Sequence, residues 1–258
     1  MSSLGKIVRL QRLRHPASGR IVTVALDHAP SYGLLSGLER IQDVLAAVAD
    51  GKPDAIMLMM GPATRLYEPY AGKIPLILKC STLSPYHPEH DVRVSSAEDA
   101  VRLGADAIAV AVTFGSDDQP AHLGMLAALV REAEPLGMPV IAHAYPAGRN
   151  IPTNERYSAP RVAYASRAVM ELGVDIVKTF YTGSVDTFAT VVAAAAPVPV
   201  VAAGGPPLAS WDEVLDMARG AIWAGATGVT FGRNIWQRPA PTDAVRELVA
   251  EVHGASAG

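Results

Sequence analysis

The chain has 258 residues, half of them hydrophobic and 18% charged, a balance that fits a folded globular chain and excludes a disordered one. Its net charge of -3, without a basic run, leaves no electrostatic footprint for nucleic acid. The single cysteine, Cys80, excludes an internal disulfide framework and fits a reducing compartment.

The opening MSSLGKIVRLQRLRHP is basic but has no continuous apolar stretch and no small-residue cleavage site, so residues 1–20 read as a lead-in segment and not as a secretory signal. No apolar run reaches membrane-spanning length without Gly, Pro or charge, so no membrane partner is expected and the location expected is cytoplasmic.

From there a β-rich apolar run followed by a helical pattern recurs eight times. The predicted strands are Ile21–Asp27, Ala55–Met60, Ile74–Cys80, Ala107–Thr113, Pro139–Tyr145, Asp175–Thr179, Pro199–Ala203 and Gly228–Phe231. The predicted helices between and after them are Leu38–Ala49, a shorter segment Ala63–Tyr70, Ala97–Leu103, Ala121–Leu136, Pro160–Leu172, Val185–Ala195, Trp211–Ala224 and Thr242–His253. LGAD, LGMP, LGVD and AGATG place a glycine where a left-handed helix cap is expected. Strands alternating with helices pair in parallel through right-handed crossovers. Eight such units in one domain over 1–258 predict a closed (β/α)8 TIM barrel, with an open doubly wound sheet as the alternative.

In such a barrel the C-terminal ends of the strands face the active site. Those ends carry Asp27 and His28, then Lys79 to Thr82, then Gly115-Ser116-Asp117-Asp118. His143 and Tyr145, Lys178, Gly204-Gly205 and Gly232-Arg233-Asn234 follow on the later strands. Lys178 stands out, because DIVKTFYTG otherwise reads as a buried strand ended by turn residues. An ammonium in an apolar strand is costly unless it pairs or gives up its proton, and the free amine is a nucleophile toward a ketone. The alternative is a lysine that snorkels to the strand end or pairs with a carboxylate.

Lys79 is a rival nucleophile, a cation that depresses the Lys178 pKa, or a phosphate contact. Lys178 is preferred because its strand continues past it, which makes escape to water harder. AAGGPP and FGRN follow the seventh and eighth strands, where barrels of this kind often hold phosphate on backbone N–H groups, with Arg233 as a bidentate clamp. Iminium chemistry also needs groups that move protons. Tyr145 and Asp27 are the candidates, with His28 and His143 behind them, although Asp27-His28 also suits a turn and His143 a hydrogen-bonded core position. HPEHD (His87 to Asp91) looks ligand-like but falls in a Pro-rich loop without helical or strand-end spacing, so no metal is expected.

The segments ALDHAPSYG, LILK, FGSDD, AYPAG, DIVKTFYTG, VVAAGGPP and FGRNIWQ, from Ala25 to Gln237, resemble in order those of the archaeal-type class I fructose-1,6-bisphosphate aldolases. That wider group takes in the 2-amino-3,7-dideoxy-D-threo-hept-6-ulosonate synthases and the enzymes that degrade phosphorylated autoinducer-2. The resemblance implies a metal-independent aldolase acting on a phosphorylated keto sugar or aldehyde, with a Schiff base at Lys178, a tyrosine acid at Tyr145 and an aspartate at Asp27. It implies phosphate near Gly204, Gly205, Gly232 and Arg233, and a homo-oligomer built as a ring or paired rings. Transaldol or acyl transfer on a related ketose, or a barrel that binds sugar phosphate without turnover, are the alternatives. Three departures lie at the mouth. Ala147 stands where the family pattern Tyr-Pro-Arg-Gly has arginine, with Arg149 displaced; Ala29 follows His28 in place of glycine; and Leu-Lys-Leu-Asn becomes Leu78-Lys79-Cys80-Ser81. Loss of an arginine there argues against a bisphosphate.

Overall fold

A computed structural model describes residues 3–255; the two ends of the predicted domain, 1–2 and 256–258, lie outside the described residues. The strands are β1 (Ile21–Ala25), β2 (Ala55–Leu58), β3 (Leu76–Lys79), β4 (Ser81–Ser84), β5 (His87–Arg93), β6 (Ala107–Thr113), β7 (Val140–Tyr145), β8 (Ile176–Phe180), β9 (Val200–Ala203) and β10 (Gly228–Phe231). The helices are α1 (Leu4–Arg12), α2 (Ala29–Tyr32), α3 (Ile41–Asp50), α4 (Met60–Leu66), α5 (Ala97–Arg102), α6 (Gln119–Ala133), α7 (Ala159–Glu171), α8 (Val185–Ala195), α9 (Trp211–Trp223), α10 (Arg233–Trp236) and α11 (Pro241–Gly254). Eight strands close in parallel in the order β1-β10-β9-β8-β7-β6-β3-β2, the predicted TIM barrel and not an open sheet.

The period of two along each strand decides what lies inside. Ile21 and Ala25 of β1, Ile77 of β3, Ala107 and Ala109 of β6, Ile141 of β7, Ile176 of β8 and Val201 of β9 form the inner core. Their neighbours Val22, Val24, Leu76, Leu78, Ile108, Val110, Ala142, Val177 and Val200 face the helices in a second, larger cluster. Continuing the same alternation toward the C-terminal ends brings Lys79, His143 and Lys178 inward, in place of the aliphatic residues below them. The apolar layers form the floor, and the polar residues come directly above it.

Two elements differ from expectation. The lead-in contains α1, which stoppers the barrel: Leu13 is buried within the inner core cluster and Leu10 packs against it. Its Lys6 is buried and pairs with Glu134 and Asp175, carboxylates distant in sequence. The segment containing HPEHD is not a loop but β5, which runs antiparallel to β4 as a hairpin. Pro88 is tolerated because a two-stranded ribbon has a free edge on each strand, where a missing N–H breaks no ladder bond. Element ends also shift by a few residues. Pro75 has no N–H to donate, so β3 begins at Leu76 and not at Ile74. The predicted Ala63–Tyr70 helix is split into α4 and a 3-10 turn, Glu68–Tyr70, with Pro69 in that turn. No helix among the described residues is long and apolar enough to cross a membrane.

Candidate active site

A cavity of about 410 Å³ opens at the C-terminal mouth and is lined by Lys178, Tyr145, Phe180 and Thr230 of the barrel, by Gly204, Gly205, Gly232 and Arg233 of the last two loops, and by the tip of the hairpin. A narrower lobe of about 90 Å³ is lined by Asp27, Lys79, Asp91 and His143; Lys178, Tyr145, His28 and Thr113 are among the residues common to both. Lys178 thus stands where the two lobes meet.

Its surroundings fit a nucleophilic amine. Lys178 is buried, and burial lowers its pKa to about 8, with Asp27 opposing the drop and the Lys79 cation adding to it. Lys79 is equally buried, so depth does not separate the two lysines as the sequence suggested. Hydrogen bonding does. Lys79 Nζ donates to the Ser81 carbonyl at 2.8 Å and to Ser81 Oγ at 2.9 Å, which ties its nitrogen to that residue. Lys178 Nζ has no such acceptor among the described residues.

The groups around the amine are kept from competing with it. His143, the Cα partner of Lys178 on β7, has its pKa driven well below the usual range by burial and then by the cations of Lys178 and Lys79. His28 is lowered to about 4, by burial first, against the pull of Asp27, whose carboxylate is 3.5 Å from its ring. Both imidazoles are therefore neutral at physiological pH. The Tyr145 phenol is pushed well above 10 by burial, so it stays protonated. Its ring stacks on Phe180 at 4.5 Å between centroids, which fixes the direction of the hydroxyl.

The last two loops are tied together by Asn234, a strand-end residue to which the sequence assigns no role. Asn234 Nδ2 donates to the carbonyls of Gly204 (2.7 Å) and Pro206 (3.1 Å), and its Oδ1 accepts from the Leu208 N–H at 2.8 Å. Arg233 donates to the Gly205 carbonyl at 3.0 Å and lies over the Tyr32 ring. Gly232 cannot be larger, since a Cβ there would come within 2.5 Å of the His28 ring. Gly205 adopts φ +64, a left-handed conformation that favours glycine.

Not every predicted contact converges here. Ser116 is buried, but its hydroxyl is used on the Thr113 carbonyl at 3.0 Å and it lines neither lobe. Arg149 pairs with Asp117 on the exterior. The reason is the packing of two turns: a Cβ on Gly148 would lie 2.0 Å from the Gly115–Ser116 backbone, so the AYPAG turn rests on the FGS turn and Arg149 is carried outward. Asp91, Thr113, Ser31 and Tyr32 also line the site; in the sequence Asp91 ends the polar HPEHD run, Thr113 ends a predicted strand, and Ser31 and Tyr32 fall in ALDHAPSYG, with no site role assigned to any of them. Among the described residues no group of three or more His, Cys, Asp or Glu side chains is placed to hold a metal ion.

A closed barrel with a depressed lysine at its mouth and glycine loops beside it defines an enzyme of the class I aldolase type. The chain belongs to the DeoC/LacD aldolase family, whose model matches residues 21–238. It is 36% identical over 255 residues to the 2-amino-3,7-dideoxy-D-threo-hept-6-ulosonate synthase of Halobacterium salinarum, covering 98% of this chain and 93% of the relative. It is 34% identical over 248 residues to the 2-amino-4,5-dihydroxy-6-oxo-7-(phosphonooxy)heptanoate synthase of Streptomyces griseus, covering 95% of this chain and 89% of the relative. Among solved structures it is similar to a Schiff-base-forming fructose-1,6-bisphosphate aldolase captured at reaction intermediates, with TM-score 0.88 and 29% identity over 96% of this chain and 99% of the other. An archaeal fructose-1,6-bisphosphate aldolase whose catalytic lysine is bound to a carbinolamine gives TM-score 0.87 at 29% identity, over 96% of this chain and all of the other.

Proposed function

We propose that this enzyme joins, or in reverse cleaves, a phosphorylated short ketone and an aldehyde through an iminium on Lys178. The amine attacks the ketone carbon, and the resulting carbinolamine loses water to give the iminium. Removal of a proton from the neighbouring carbon gives an enamine, whose carbon attacks the aldehyde and forms the C–C bond; the new alkoxide takes up a proton, and water then releases the product. Tyr145, protonated and fixed by its stack on Phe180, passes protons during loss of water and at the enamine. Asp27 orients the hydroxyl formed at the new bond and takes its proton in the cleavage direction. Gly204, Gly205, Gly232 and Arg233 hold the phosphate, and Lys79 adds to the lowering of the Lys178 pKa that burial begins. No metal or organic cofactor takes part in this scheme.

The substrate class follows from the chemistry spelled by the relatives' names. Both describe seven-carbon 2-amino-6-oxo acids. An aldol disconnection of the Streptomyces griseus product between its two hydroxyl-bearing carbons gives dihydroxyacetone phosphate and 2-amino-4-oxobutanoate. Such a product carries one phosphate, which agrees with a site whose mouth has Ala147 and an outward Arg149 in place of a second anion clamp. The observation that carries the proposal is the buried, hydrogen-bond-free Lys178 amine at the junction of a glycine-lined lobe and a polar one. Incubation with dihydroxyacetone phosphate and 2-amino-4-oxobutanoate is expected to yield the seven-carbon amino keto phosphate by mass spectrometry. Turnover of fructose 1,6-bisphosphate at a higher kcat/KM than this pair would contradict the substrate assignment.

A further inference from the structure

The proposed scheme leaves one buried charge unused. Asp91, at the inner end of the hairpin, is 6% exposed and lines the polar lobe beside Lys178. Its position is fixed from three sides. The Asp91 backbone N–H donates to His122 Nε2 at 3.1 Å. Ser81 Oγ accepts from Lys79 Nζ and from the Ala111 N–H, both at 2.9 Å, so its single proton is left for Asp91 Oδ1 at 3.3 Å. Thr113 Oγ1 donates to the other oxygen, Oδ2, also at 3.3 Å.

These two bonds are a poor return for a buried carboxylate. Hydroxyl donors to an ionised oxygen normally approach to about 2.5–2.7 Å, and an ionised carboxylate taken out of water costs several kcal/mol unless it is closely paired. No lysine or arginine among the described residues forms an ion pair with it; Lys79 is bonded to the far side of the same serine. Each oxygen accepts one long hydrogen bond and has a further lone pair to offer on the cavity side. A carboxylate so held, under-satisfied, rigid and facing an active-site lobe, is arranged to receive a cationic donor brought by the ligand.

We propose that Asp91 is the acceptor-selecting residue of this enzyme, binding the ammonium group of an amino aldehyde in the polar lobe while the phosphorylated ketone occupies the glycine-lined lobe. The inference rests on the substrate reading above and deepens it. Both relatives' names carry a 2-amino group, and Asp91 is a buried carboxyl that lines the polar lobe, while Arg233 lines the other, and it forms no ion pair with a lysine or arginine among the described residues.

The test compares two acceptors, 2-amino-4-oxobutanoate and 4-oxobutanoate, each with dihydroxyacetone phosphate, in the wild type and in Asp91→Asn. In the wild type, kcat/KM is expected to favour the amino acceptor by at least ~10-fold, since a site built around a buried polar group rejects the analogue that leaves it unpaired. In Asp91→Asn that preference is expected to fall to within ~3-fold of unity, through a higher KM for the amino acceptor, while borohydride still traps the ketone on Lys178. A preference that survives the substitution overturns the assignment. So does a wild type that does not distinguish the two acceptors, a result that needs no variant to fold. Absence of any trapped adduct in the wild type would be a different failure, removing the Lys178 chemistry and the Asp91 proposal with it.

Discussion

His143 and Lys178 are Cα partners on adjacent parallel strands, both pointing into the barrel and both buried, and after burial the Lys178 ammonium is the strongest influence holding His143 unprotonated. Lys178 keeps a reactive amine chiefly through its own burial, with the Lys79 cation adding to the drop and Asp27 opposing it. With a pKa of about 8, roughly a tenth of the Lys178 side chains are neutral at pH 7, against well under a thousandth for an ordinary lysine near ~10.4. Iminium formation with dihydroxyacetone phosphate should therefore rise about tenfold per pH unit below pH 8 and level off above it. Stopped-flow or quenched trapping rates between pH 6 and 10 check this; a rise that continues beyond pH 10 would mean that the amine is not depressed.

The same burial makes Lys178 a liability for stability. Its folded pKa of about 8 is below the unfolded value of 10.5, so the unfolded chain binds more protons between those values and stability rises with pH across that window. Below it the full cost is present, on the order of 3 kcal/mol. Lys178→Met should thus be inactive yet more stable than the wild type at pH 7, with the gain shrinking toward pH 10. Denaturant unfolding of both proteins at the two pH values measures it.

Tyr145→Phe removes a hydroxyl while the ring remains stacked on Phe180. The expected result is a fall in kcat of ~10²–10⁴, the usual worth of a positioned proton donor, with a change in unfolding free energy of no more than about 1 kcal/mol. Parallel activity and melting measurements separate the two effects.

Arg233 is exposed to the cavity through a guanidinium held by the Gly205 carbonyl and the Tyr32 ring. Arg233→Ala should raise KM for a phosphorylated ketone by ~10–100-fold and leave the KM for its unphosphorylated counterpart within ~2-fold, because charge-assisted bonds to phosphate are lost while the amine is not touched. Arg233→Lys should recover only part of the loss, since an ammonium lacks the forked geometry.

How far the molecule is legible in its sequence depends on the range of the interaction. Strand period alone puts Ile176 and Lys178 on one face and Val177 on the other, and the glycine pairs mark the last two loops; these are local signals, and the structure keeps them. The α1 stopper is not local. Leu13 is buried, and Leu10 partly so, only because the barrel floor receives them, and Lys6 is neutralised by carboxylates at 134 and 175. Asp91 is hidden for the same reason. Its polar, proline-bearing neighbourhood reads as loop, and the groups that bury it, Ser81, Thr113 and His122, are brought to it by the closure of the hairpin on β6 and α6. Ser116 shows the converse: a strand-end position is not enough when the hydroxyl already serves its own turn.

The central claim is that the Lys178 amine bonds covalently to the ketone carbon. Borohydride reduction in the presence of dihydroxyacetone phosphate, followed by peptide mapping, tests it most directly. A mass increase on the peptide containing Lys178, absent when ketone or reductant is omitted, is the result expected. A wild-type protein that turns over substrate but gains no mass there, or gains it on Lys79, would contradict the account.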